Sequence, residues 1–464
     1  MNLDFQISYL LPELFLVFGV VVLAFLGINK KFHGGALWVA LAFLFFSACA
    51  LIYYLPVEGE AFNGLYRKNT FGDFIKFLLL LNGAFLILFS KSKQKPKNPE
   101  FYALLCSSLW GGFVLVSTSY FPLFLVGLET LSLTTYALCA WQKETWQVEA
   151  ALKYFFLGML SSAIFIYGVA LFYGATGSLF FGESFSGVPE KNLPLLLLGS
   201  LLILAGFSFK LGAAPFHFWM PDVIQNTSMT MAIFLLTLPK IALFTALHNF
   251  FYTPKPYPVL YFALLFLGSL SLLVGNAMAF LQKDFKGLFA YSSIAHSGFI
   301  FYLVSLQGMT VNFSLSYYLL VYSLSNLGIF AVLKNFSFSG KTLHLSDFKG
   351  LFYKHPGLSL LFSFFLISLA GIPFTPGFLS KLFLFLPVLN SGGWMFIAFA
   401  LFSSAVAAIY YLKIIWFFFQ KETDFQLQWD KPPILLKSVY YFAFIFSLLL
   451  TLWPEVLLIW LKHS

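Results

Sequence analysis

Apolar residues in this chain neither alternate in strand fashion nor recur in the three-and-four rhythm of a surface helix. They gather into long runs closed by charge, by Gly or Pro, or by Asn. Fourteen such runs lie near 8–28, 35–55, 71–90, 101–118, 121–141, 147–173, 193–218, 228–250, 258–281, 287–306, 313–335, 356–387, 393–419 and 434–461. A helix needs about 20 mostly apolar residues to cross a bilayer, so each run predicts one crossing. The run at 356–387 is too long for one straight span, and Gly371, Pro373, Pro376 and Gly377 mark where it breaks. Gly206, Gly212 and Pro215 predict a second break in the seventh run. The predicted fold class is an all-α polytopic membrane protein of about fourteen transmembrane helices.

Composition removes the alternatives. Of 464 residues 60% are apolar, 21% aromatic and only 10% charged, against about 25% charged in an ordinary soluble domain. A soluble, disordered, coiled-coil or disulfide-rich secreted chain is excluded. The segment from Met1 to Glu13 has no Lys or Arg, so it lacks the basic region of a cleaved signal and the first run is expected to stay as a helix. Cys49, Cys106 and Cys139 are far apart inside apolar runs, and no CxxC, HExxH, Walker loop or GxGxxG occurs. The residues therefore give no case for a metal, haem, iron–sulfur or nucleotide site.

Loop charge predicts direction. Loops after odd-numbered helices carry sixteen lysines, and the other side carries five cations. By the positive-inside rule both termini face outward. The net charge of +9 then reflects topology and contact with anionic lipid, without a nucleic-acid partner.

Six cations remain inside the runs: Lys76, Lys153, Lys210, Lys240, Lys381 and Lys413. Glu129 is their acidic counterpart, and His217, His248 and His296 lie within or at the ends of spans. A charge at mid-span costs about 2.5–3.5 kcal/mol, so Glu129, Lys210, Lys240 and Lys381 unpaired would cost roughly 10–14 kcal/mol together. Each needs a partner, a wet cavity or a task. Lys76 and Lys413 lie near helix ends and are expected to snorkel. Lys153 follows Glu149 at i,i+4, an ordinary helix pair or a connecting group. His217 reads as an interface residue or the mouth of a path, His248 as structural, and His296 as a proton relay or a packing histidine.

Lys210 and Lys381 stand beside helix breakers, and Lys240 follows Pro239. Broken helices free carbonyls and admit water, which is where transporters place ion sites. These groups read as a proton path or as a static electrostatic scaffold. Lys210 and Lys381 are 171 residues apart, Lys240 and Lys413 are 173, and Glu129 and His296 are 167. The spacings suggest two inverted five-helix repeats, helices 4–8 and 9–13.

The stretch from Trp146 to Leu179, with Glu149, Lys153-Tyr154, Gly158, Ser161-Ser162 and Tyr173-Gly174-Ala175-Thr176-Gly177, resembles subunit N of NADH:quinone oxidoreductase, respiratory complex I. So do Phe209-Lys210-Leu211, Pro215-Phe216-His217, Trp219-Met220-Pro221-Asp222, Lys240-Ile241-Ala242, Tyr291-Ser292-Ser293-Ile294-Ala295-His296, and Gly371-Ile372-Pro373 through Gly377-Phe378 to Lys381. Lys240 and Lys381 favour subunit N over its sister antiporter-like subunits. The resemblance covers about residues 100–420, and it departs from the family in lacking a proline turn at 225–232 and in having Pro376 and Ser380.

The resemblance implies a fourteen-helix bundle divided into an N-terminal three-helix segment (1–99), two antiporter-like repeats (100–255 and 256–420) and a C-terminal helix (421–464). It implies a proton-translocating axis of Glu129, Lys210, Lys240 and Lys381, with Lys153 and His296 as connecting groups. No cofactor is expected on this chain; NADH, FMN, iron–sulfur clusters and quinone belong to partner subunits. Partners would be the other membrane subunits, the peripheral arm indirectly, and lipid, in a bacterial inner membrane. Rival readings are a subunit of a multisubunit cation/proton antiporter, a related hydrogenase or plastid-type complex, and a membrane-anchoring scaffold.

Overall fold

The computed structural model describes residues 7–55, 58–91, 98–181, 188–251, 257–306, 308–337, 343–421, 428–429 and 433–455. The membrane helices are α1 (Leu11–Ile28), α2 (Ala36–Tyr53), α3 (Thr70–Ser90), α4 (Pro99–Ser117), α5 (Phe121–Cys139), α6 (Thr145–Thr176), α7 (Leu193–Lys210) and α8 (Met229–Phe251). They continue as α9 (Pro258–Leu281), α10 (Phe285–Val304), α11 (Met309–Leu333), α12 (Pro356–Ala370), α13 (Pro376–Asn390), α14 (Trp394–Phe419) and α15 (Ile434–Leu452). Among the described residues thirteen helices are long and apolar enough to cross a membrane, and α12 and α13 are shorter apolar helices. The chain is an all-α polytopic membrane protein.

The sequence punctuates these helices physically. A proline stands in the first turn of α1, α4, α5, α7, α12 and α13, where its missing N–H is one of the donors a helix start leaves unused. Asn69, Asp284 and Thr375 cap α3, α10 and α13 by accepting from the backbone N–H of Gly72, Gly287 and Phe378. Pro376 therefore starts α13 rather than distorting it. The long run at 356–387 breaks at Gly371, and the seventh run ends at Lys210, short of residue 218. A short helix, Trp219–Asn226, follows that second break. The last described helix ends at Leu452, just before Trp453-Pro454, where Pro454 withholds the N–H that a further turn needs; the end of the predicted run, 456–461, lies outside the described residues.

The chain forms two compact units. The first comprises residues up to Leu211 together with Leu238–Ala263. Within it, α4 and α5 cross at glycines: a Cβ on Gly111 would lie 2.8 Å from the Gly127 carbonyl oxygen, so only glycine permits this backbone approach. A phenylalanine core joins Phe121, Phe124, Phe165, Phe207 and Phe250, with Phe124 stacked on Phe165 at 5.5 Å. A hairpin of β1 (Gly59–Ala61) and β2 (Tyr66–Lys68) connects α2 to α3.

Lys76 does not snorkel. Its ammonium is buried against Glu13 Oε1 at 2.6 Å, because α1 offers a carboxylate at the same level of the bundle. His248 is buried with its ring edge-on to Phe71, and Lys413 is exposed.

The second unit comprises Gly212–Thr237 and Leu264–Leu458. Here α10 and α11 are enclosed almost completely by protein, which keeps their serines, tyrosines and His296 off the lipid. The short helix Trp219–Asn226 is tied to α10 where Lys286 Nζ donates to the Thr227 carbonyl at 2.5 Å. A two-residue antiparallel pairing joins β3 (Phe336–Ser337) to β4 (Gln428–Trp429).

Candidate functional site

In the first unit the site is built on α5. Glu129, Ser132 and Tyr136 stand at i, i+3 and i+7, so one face of the helix presents all three. Lys210, the last residue of α7, comes to that face. Its ammonium donates to Ser132 Oγ at 2.8 Å and to the Tyr136 hydroxyl at 3.4 Å. It lies 3.6 Å from Glu129 Oε1, and its side chain is 3% exposed where that of Glu129 is 35% exposed. The same Oε1 accepts from Ser162 Oγ on α6 at 2.6 Å. Gly158, one turn before Ser162, leaves the space that the Tyr136 hydroxyl fills.

This arrangement sets a buried cation against a carboxylate that still meets its surroundings. The two charges are close enough to interact strongly, yet serine and tyrosine hydroxyls carry the direct hydrogen bonds to the lysine. The chemistry available is a transferable proton on nitrogen whose free energy depends on where the Glu129 charge stands.

Lys153 is not drawn into this cluster. It pairs with Glu149 at 2.9 Å on an exposed face of α6. Lys240 is buried in α8 directly after Pro239, which interrupts the helix interior; a proline there leaves one upstream carbonyl without its helical donor. His217 is buried in the second unit beside Tyr291.

The second unit holds His296 and Lys381. His296 Nδ1 is 2.7 Å from the Tyr318 hydroxyl, and Nε2 is 3.5 Å from that of Tyr411. Tyr411 also bonds Ser292, while Ser293 meets the Tyr322 hydroxyl at 2.7 Å. Tyr410 donates to Asn276, whose amide donates onward to Ser403 at 2.5 Å. Lys381 donates to the Ala370 carbonyl and to Ser404 Oγ, both at 2.7 Å, and its ammonium lies 5.1 Å from the Phe299 ring centroid. Its stem runs over Gly371: a Cβ there would meet Lys381 Cδ at 2.8 Å and Nζ at 2.9 Å, and φ is +79°. Glycine is required twice over at that position, by conformation and by space.

His296 and Lys381 open onto one small cavity, shared with Tyr318, Tyr322, Ser368 and Ser380. It offers about 10 Å³ for the centres of water molecules, about the least that accommodates one water.

The residues that composition and breaks singled out are thus sorted into a Glu129–Lys210 pair, a buried Lys240 and a His296–Lys381 cavity. The hydroxyls of Ser132, Tyr136, Ser162, Tyr318, Tyr411 and Ser404 were not singled out from sequence. Spacing of i+3 and i+7 from Glu129 was the available signal for the first two.

Comparison with known proteins places the chain. Residues 118–407 match the family described as NADH:quinone oxidoreductase/Mrp antiporter, TM. The chain is 40% identical to NADH-quinone oxidoreductase subunit 14 of Thermus thermophilus, over 79% of this chain and 81% of that one. It is 33% identical to NADH-quinone oxidoreductase subunit N 2 of Rhizobium meliloti, over 93% and 92% of the two chains. A chain in the structure of respiratory complex I from Thermus thermophilus with bound aureothin superposes with a TM-score of 0.85 at 35% identity, covering 96% of this chain and 98% of that one. With a family match across most of its helices and relatives of this identity along nearly its whole length, the chain belongs to the NADH:quinone oxidoreductase/Mrp antiporter family, in its subunit N branch.

Proposed function

We propose that this chain translocates protons as subunit N of a membrane-embedded NADH:quinone oxidoreductase, through Glu129, Lys210, Lys240 and Lys381, with His296 linking and Lys153 in a subsidiary connecting role. The observation that carries the reading is the Lys210 ammonium, buried at the end of a broken helix and 3.6 Å from a part-exposed Glu129. A carboxylate fixed only to hold α5 against α7 has no reason to keep a third of its side chain open.

At 3.6 Å two unit charges interact by about 4–5 kcal/mol at an effective dielectric of about 20. Screening at the open side of Glu129 reduces this to roughly 2–3 kcal/mol. The transmembrane potential charges about 2.3 kcal/mol per proton per 100 mV. Moving or neutralising the Glu129 carboxylate therefore changes the hold of Lys210 on its proton by an amount comparable to the load. Transfer then runs towards Lys381, which in the second unit shares its cavity with His296.

Two repeats, 100–255 and 256–420, flanked by segments 1–99 and 421–464, would place Lys210 and Lys381, Lys240 and Lys413, and Glu129 and His296 on equivalent helices. Electron transfer belongs to partner subunits, which would hold NADH, FMN, iron–sulfur clusters and quinone; the three scattered cysteines of this chain support that division. The neighbours would be the other membrane subunits, in a bacterial inner membrane with both termini outward, as the lysine bias favours.

The test is NADH-driven proton uptake by inverted vesicles carrying the whole complex. Lys210→Met is expected to assemble while pumping and coupled turnover fall at least tenfold. Wild-type pumping in the assembled variant would refute the path.

A further inference from the structure

Charge is buried a second time in the first unit, among residues 13–76, ahead of the stretch matched by the family at 118–407. Glu13 of α1 and Lys76 of α3 pair at 2.6 Å with side chains 5% and 1% exposed, and Lys68 and Asp73 pair at 2.6 Å with both 2% exposed. Tyr66 of β2 joins them: its hydroxyl donates to Glu13 Oε1 at 2.9 Å and receives Lys76 Nζ at 2.6 Å. Asp73 feels both lysines and Glu13. Lys68 also donates to the Tyr54 carbonyl at 2.6 Å. From the other helices packed nearby, α2 brings no charged residue and α4 brings only Glu100, which sits by Gly27 at the far end of α1.

Two features separate this cluster from a pin that merely holds helices. A buried ion pair is seldom more stabilising than apolar side chains of the same volume, and here two are placed side by side. Glu13 is also unevenly satisfied: Oε1 accepts from both Lys76 and Tyr66, while buried Oε2 has no hydrogen-bond partner among the described residues. Oε2 is an open acceptor beside a chain of exchangeable N–H and O–H groups.

We propose that Glu13, Tyr66 and Lys76 form a further proton-exchange station of this subunit. The station alternates between the Glu13–Lys76 ion pair and a state one proton richer. In the richer state an O–H bond has formed on Glu13 Oε2, Lys76 remains an ammonium bonded to Tyr66, and the Lys68–Asp73 pair is unchanged. The proton is taken from a hydronium ion and, on release, returns to water, so charge and atoms balance. This rests on the proton-translocating function above.

The experiment uses the whole complex in proteoliposomes with NADH and quinone. Glu13→Gln/Lys76→Met removes both charges together and leaves no unpaired ion, and Lys210→Met serves as the reference. The double variant is expected to assemble as wild type on native gels and to pump at least twofold fewer protons per NADH. Redox-induced infrared difference spectra of the wild type are expected to show a protonated-carboxyl band that Glu13→Gln abolishes. Wild-type pumping in the double variant, with Lys210→Met impaired, overturns the station alone; wild-type pumping in both overturns the path as well. Failure of the double variant to assemble, or a pumping loss without the carboxyl band, assigns the cluster to structure and overturns the station.

Discussion

Replacing Glu129 by Gln isolates the charge from the shape of the site. The amide keeps an Oε1 that can accept from Ser162, now at 2.6 Å, and Lys210 keeps Ser132 and Tyr136 as acceptors. Only the attraction across 3.6 Å is lost. That attraction is worth roughly 2–3 kcal/mol after screening, which corresponds to about 30- to 160-fold in the equilibrium of the Lys210 proton. If proton release from Lys210 depends on that counter-charge, the complex should assemble normally while NADH-driven acidification of inverted vesicles and uncoupler-sensitive turnover fall at least tenfold. Glu129→Asp, with a shorter reach, should fall between. Assembly with pumping within twofold of wild type in Glu129→Gln would falsify the counter-charge argument, because no other interaction was removed.

Other perturbations test separate parts of the geometry. Gly371→Ala places a methyl against the Lys381 stem at a φ of +79°; the backbone strain alone is about 1–3 kcal/mol, so thermal dissociation of the complex should shift downward and turnover should fall, whereas an unchanged midpoint would mean that the chain relaxes around it. Tyr318→Phe removes the hydroxyl bonded to His296 Nδ1, a loss of about 1 kcal/mol, and should slow coupled turnover severalfold without affecting assembly. Asp284 lies outside the spans, and burial raises its carboxyl above the usual range although the Gly287 N–H opposes this. A raised carboxyl costs stability once pH exceeds its normal range, so Asp284→Asn, which keeps the cap, should leave the melting of the complex unchanged or higher at pH 8. Asp284→Ala should cost about 1 kcal/mol through the lost cap.

The helices were legible because lipid imposes length and polarity so strictly that fourteen apolar runs can be counted, and prolines and glycines name the breaks. Glu129, Lys210, Lys240 and Lys381 were legible as charges out of place. Their partners were harder to read. Ser132 and Tyr136 share the helical face of Glu129 and were within reach of spacing arguments, but Tyr318 and Tyr411 are lost among the 23 tyrosines of the chain. Glu13 was given no role and Lys76 was read as a snorkelling end, since nothing local links residues 63 positions apart. Pairing across helices depends on vertical register in the bundle, which local sequence does not encode. Lys153 shows the converse, because its partner Glu149 lies on its own helix and sequence distance was enough.

The break between α12 and α13 has a consequence for hydration. The carbonyl of Ala370 ends a helix and has lost its in-helix donor; Lys381 supplies one at 2.7 Å, with Ser404 behind it at 3.4 Å. When the ammonium swings away, that carbonyl needs a replacement donor, and a water molecule is the one small enough to arrive. On the proposed path Lys381 would thus be a stopper in its own conduit: seated, it closes the helix end, and displaced, it would invite the solvent along which the next proton travels.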